Sequence, residues 1–118
     1  MSTELPLDTA VILEQTGGKA EIAALVLDEF AIQIPADIAE IETTLAKGDL
    51  IAASKAAHRL KGSAGTLGGT KLHPLCAAVE LAGKEGRADD IKKLFEDLKA
   101  EAKICENAIP AVKAALGG

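Results

Sequence analysis

Aromatic residues are nearly missing from this chain. Phe30 and Phe95 are present, with no tryptophan and no tyrosine in 118 residues. Strands draw on aromatic and β-branched side chains, so this scarcity, set beside abundant alanine, argues against a sheet and for close-packed helices. Positive charge is also in deficit. The net charge is −5, which argues against a nucleic-acid backbone as partner, because that affinity rests on clustered lysine and arginine. No apolar run approaches the length needed to cross a bilayer. Met1-Ser2-Thr3-Glu4 lacks the basic start and apolar stretch of a secretory signal. Cys76 and Cys105 are the two cysteines; they form no CxxC motif and no disulfide framework, and are expected as buried thiols. These absences together predict a soluble cytoplasmic protein of one domain with one core.

What is present is helical periodicity. A short helix over 7–16 is expected from Asp8 as its cap and Gly17-Gly18 as its stop. A second spans 19–47, with Ile22, Leu25, Val26 and Phe30 followed by the one-sided stripe Ile34, Ile38, Ile41 and Leu45. Pro35 interrupts it and either kinks one helix or starts another; a kink is expected. Gly48 ends the run and Asp49 caps a third helix over 50–67, whose core stripe is Ala53, Ala57, Leu60, Ala64 and Leu67. After Gly68-Gly69, Thr70 or His73 caps a fourth helix over 71–85, with Pro74 tolerated in its first turn and Leu72, Leu75, Cys76, Val79 and Ala82 or Gly83 facing inward. Asp89-Asp90 open the last, over 89–116, which Pro110 should bend. No strand pattern, repeat or low-complexity segment appears. The fold class is all-α: an antiparallel four-helix bundle with a short extra N-terminal helix.

The third helix carries the chemistry. Residues three, four and seven apart share a helix face, so His58, Gly62 and Gly65 align, with Ser54 behind them and Lys55 and Lys61 on either side. That face lies opposite the alanine–leucine stripe. A glycine inside a helix costs about 1 kcal/mol relative to alanine, so two beside one histidine imply a face kept bare. Neutral imidazole is a nucleophile. Phosphoryl transfer asks little more of a protein than in-line positioning and charge stabilisation. Lys61, one turn on, is spaced to offset phosphoryl charge, and the glycines leave room for a second protein to bring up a carboxylate.

The run Ala56-Ala57-His58-Arg59-Leu60-Lys61-Gly62-Ser63-Ala64-Gly65-Thr66-Leu67-Gly68 resembles the signature of histidine-containing phosphotransfer domains. The likeness extends to the Leu45–Asp49 turn upstream and to Leu72, Cys76 and Val79-Glu80 downstream. It implies a four-helix bundle whose exposed histidine carries phosphate between aspartates of receiver domains, in hybrid histidine kinases and in response regulators. His58 is then the phosphorylated residue, Lys61 its charge partner and Gly62 the clearance residue. Glu80 stands where some members carry glutamine; a carboxylate there either hydrogen-bonds the ring or repels the phosphoryl group. With no ATP-binding domain, such a protein is a phosphoryl carrier and not an enzyme that makes phosphohistidine. No cofactor of its own is expected, Mg²⁺ belonging to the receiver. The docking surface is expected around His58, with Ile51, Ser54, Lys55 and Gly65 on its helix and Glu80 and Lys84 on the next. A monomer is expected.

Two other readings differ in chemistry. His73 and Cys76, three apart, resemble half of a metal site, but structural zinc takes four ligands, and neither His58 nor Cys105 is clearly spaced to complete the set. The other is an interaction module that binds a receiver through the same bundle without exchanging phosphate.

Overall fold

The computed structural model describes residues 5–117. Its regular structure is helical throughout: α1 (Thr9–Gln15), α2 (Ala20–Ala46), α3 (Leu50–Leu67), α4 (Leu72–Lys84) and α5 (Ala88–Gly117). Each of α2 to α5 packs against the next, and α5 closes back on α2. Turns this short force neighbours antiparallel, which gives a four-helix bundle. α1 lies across α2, α3 and α5.

Local chemistry sets the helix ends. Asp8 accepts from the backbone N–H of Ala10 at 2.9 Å, and Asp49 from that of Ala52 at 3.0 Å, each satisfying a donor that the first turn leaves free. Neither Thr70 nor His73 caps α4: the cap position is Lys71, with no side-chain hydrogen bond, and the backbone N–H of His73 bonds the Gly69 carbonyl at 2.9 Å. Gly68 closes α3 in the left-handed conformation, φ 66°. There the N-terminal segment seats itself, Asp8 N–H donating to the Leu67 carbonyl at 3.1 Å. A Cβ on Gly68 would lie 2.5 Å from that of Asp8, so this glycine lets α1 close the bundle end.

α2 runs unbroken through Pro35, and α5 through Pro110. Both prolines are exposed. Continuity at Pro35 changes which residues the first half of α2 buries. Ile22 and Leu25, expected inward, are 39% and 68% exposed, and the buried line is Ala23, Leu27, Ile34 and Ile41. One uninterrupted helix must keep one face: stepping back a heptad from Ile34 reaches Leu27, and four more reach Ala23. The α3 stripe of Ala53, Ala57, Leu60, Ala64 and Leu67 is fully buried as expected. Cys76 and Cys105 are free and buried, and desolvation pushes both thiols up to about 12, so they are inert packing groups.

Candidate functional site

The site begins with how closely α3 and α4 approach. Gly83 is buried on α4, and a Cβ there would stand 2.7 Å from the Leu50 carbonyl oxygen and 2.8 Å from Ser54 Cβ. Only glycine permits that approach. It brings Ser54 Oγ within 2.9 Å of the Glu80 carbonyl, to which it donates, and lays the Glu80 side chain along the flank of α3. Ser54 is therefore buried, 3% exposed. The expectation that it lines the docking surface fails, because α4 covers that edge of the histidine face. Glu80, also expected on that surface, is 5% exposed and works from beneath it.

Three groups converge on the Glu80 carboxylate. Lys61 Nζ is 2.6 Å from Oε1, His58 Nδ1 is 2.9 Å from Oε2, and Lys84 Nζ is 3.0 Å from Oε2. The Lys61 hydrogen bond, above all, holds the carboxyl down to about 2 against its burial, with Lys84 and His58 adding to the effect. Glu80 is thus an anion at any physiological pH. An ionised carboxylate only accepts, so His58 donates through Nδ1, and in the neutral ring Nε2 keeps its lone pair. The ring itself is 66% exposed.

Around the ring the surface is bare. A Cβ at Gly62 would meet nothing within 4 Å, and one at Gly65 would meet only the His73 ring, at 3.8 Å. Packing does not require either glycine. Lys55 and Lys84 are exposed, and Ile51 and Leu81 present apolar surface at 55% and 51% exposure. Sequence reasoning placed Gly83 on the inward face without giving it a part in the site, and gave Leu81 no part. Gly83 was legible as a glycine on an apolar helix face; Leu81 was legible as a leucine outside the inward stripe of α4. His73 is exposed while Cys76 is buried, so the pair does not converge, and among the described residues no cluster of His, Cys, Asp and Glu is arranged to hold a metal ion. No described helix is long and apolar enough to cross a membrane.

The opposite flank of α3 carries a second ionic cluster. Arg59 donates to Glu40 at 2.6 Å and stands 3.6 Å from Asp37 of α2. Asp37 is buried, and desolvation raises its pKa despite Arg59 and a 3.4 Å hydrogen bond from Gln33.

Fold and site together define a class: a helical bundle built around one exposed, carboxylate-braced histidine. The comparisons agree. Residues 25–115 match the family model of the Hpt domain. In three dimensions the chain is similar to histidine-containing phosphotransfer protein B (HptB) from Pseudomonas aeruginosa PAO1, with a TM-score of 0.85 and 21% identity over 97% of this chain and 98% of that one. It is also similar to the HPT domain of the Hpt sensor hybrid histidine kinase from Shewanella, with a TM-score of 0.81 and 24% identity over 96% and 97%. No curated protein matches it by sequence. The chain belongs to the Hpt domain family, phosphocarriers of two-component systems that work with receiver domains and are not kinases.

Proposed function

We propose that His58 accepts a phosphoryl group from a phosphoaspartate of one receiver domain and passes it to an aspartate of another. The observation that carries this reading is the 2.9 Å contact between His58 Nδ1 and the buried Glu80 carboxylate, which supports a proton on Nδ1 and an Nε2 free to attack. In the forward step the Nε2 lone pair forms the P–N bond, the aspartyl P–O bond breaks, and its electron pair leaves with the carboxylate. Lys61 lies one turn from His58 and exchanges Glu80 for a phosphoryl oxygen, with Lys84 as a second cation at the edge. Mg²⁺ comes with the receiver.

The docking face consists of Ile51, Lys55, Gly62 and Gly65 on α3 and Lys84 on α4, with Leu81 added. Transient signalling contacts are small, and an apolar patch flanked by lysines suits the rim of a receiver's acidic phosphorylation site. The test is transfer from a panel of phosphorylated receivers with Mg²⁺, read by intact mass and acid lability. One acid-labile phosphoryl group is expected, absent in His58→Gln, with transfer slowed at least about tenfold in Ile51→Asp. Receivers that bind but never transfer would make the protein an interaction module instead.

A further inference from the structure

The brace on His58 bears on more than which nitrogen attacks. We infer that Glu80 keeps the Nδ1 proton on the His58 ring after phosphorylation, holding the phosphoryl group in its readily transferred form. This rests on the reading of His58 as the carrier and specifies how long that carrier holds its load.

The argument follows the proton. Attack by Nε2 on a ring already protonated at Nδ1 yields a phosphoimidazolium, a cation. That ring either retains Nδ1–H or surrenders it to solvent. If the proton stays, the next transfer breaks the P–N bond, the electron pair returns to Nε2, and a neutral Nδ1–H imidazole is left. No proton has to arrive. If the proton has gone, the same cleavage would leave an imidazolate, a far poorer leaving group, unless the ring is first reprotonated. A charge-assisted hydrogen bond to the cationic ring favours the first state.

Glu80 is placed to supply that bond. It is the one carboxylate in contact with the ring among the described residues. It is buried, so water screens its charge poorly, and Ser54 holds its backbone at 2.9 Å. Lys84 opposes the effect, since it shares the same carboxylate, as Lys61 does until it turns to the phosphoryl group. Of the other charged groups on α3, Lys55 is exposed and Arg59 is turned away toward Glu40 and Asp37; on α4, His73 stands over Gly65. The balance between Glu80 and the lysines beside it sets the pH at which the proton leaves.

The experiment separates this role from the relay. The full chain with His73→Gln, which leaves His58 as the sole histidine of the two, is loaded chemically with phosphoramidate. Loss of the phosphoryl group is then followed by intact mass from mildly acidic to alkaline pH. The hydrolysis rate should fall at a pH about one unit lower in Glu80→Gln, making that variant about tenfold slower on the alkaline limb. Lys84→Met removes a competing cation and should move the fall the other way. It also keeps the test open if the glutamine variant does not fold. Coincident profiles, or shifts of the opposite sign, overturn the proposal. If the profiles separate while no receiver loads the protein, the relay reading fails and the role of Glu80 stands.

Discussion

Glu80 on one flank of α3 and Asp37 on the other are both buried carboxylates, 5% and 6% exposed, yet their pKa values move in opposite directions. Burial alone raises both. What differs is the surroundings: desolvation dominates at Asp37, where Glu40 adds like charge, and the donors are placed differently. Glu80 has three within 3.0 Å, whereas Asp37 has Gln33 at 3.4 Å and Arg59 at 3.6 Å, the latter committed more closely to Glu40. Only the close, converging set outweighs desolvation. The protein keeps charged the carboxylate that touches the histidine and leaves under-compensated the one that touches nothing reactive.

The strongest way to break this contrast is to push α4 away from α3. Gly83→Ala places a methyl group against a backbone carbonyl that cannot step aside. Despite alanine's better helix propensity, it should destabilise the bundle by about 1–3 kcal/mol in urea unfolding, the usual cost of overpacking. Transfer through His58 should fall with it, because Glu80 loses its seat. Unchanged stability would mean that α3 and α4 approach less closely than Gly83 implies.

Next in size is the acid response of Glu80. Its folded pKa is about 2 against an ordinary 4.5, so the stability it contributes is complete above about pH 4.5 and is lost as the pH falls toward about 2. Glu80→Gln should therefore be less stable than wild type at neutral pH, by about 1–3 kcal/mol for charge-assisted hydrogen bonds lost. The gap should close across that acid window. A gap that stays constant with pH would sink the assignment.

Much of this was legible in the sequence, and the failures have particular causes. The α3 stripe is legible because alanine and leucine recur there at helical spacing with nothing to confuse the phase. His58, Gly62 and Gly65 were legible for the same reason. Ser54 shares the face of His58 by spacing, about 40° around the helix from it, but how much of that face stays open depends on α4, through Gly83. Nor does spacing show which cations a carboxylate will meet, so Glu80 was left between bonding the ring and repelling the phosphoryl group. In α2, Ile22 and Leu25 fit a local helical spacing, though only Ala23 and Leu27 continue the line of Ile34.

Gly62 sharpens the contrast with Gly83. Nothing within 4 Å would meet its Cβ, so Gly62→Ala should stabilise the protein by up to about 1 kcal/mol, the opposite sign to Gly83→Ala. Gly62→Gln should fold equally well and slow transfer from a phosphorylated receiver. If glutamine left transfer rates unchanged, the bare surface beside His58 would have no docking role.

The smallest effect belongs to Asp37. Its pKa is raised from 3.8, so ionising it opposes folding. The penalty is present above the raised value and is released as the pH falls through that value toward 3.8. Asparagine has nearly the same shape, still accepts from Gln33 and Arg59, and carries no charge to desolvate. Asp37→Asn should therefore match or exceed wild-type stability at neutral pH, by no more than about 1 kcal/mol. Wild type should gain on the variant as acid protonates Asp37, which is the reverse of the Glu80 series. Transfer should be unaffected, since Arg59 and not the histidine is the neighbour. Were the asparagine variant clearly less stable, the Arg59 contact at 3.6 Å would outweigh burial after all, and the two flanks of α3 would differ in degree rather than in kind.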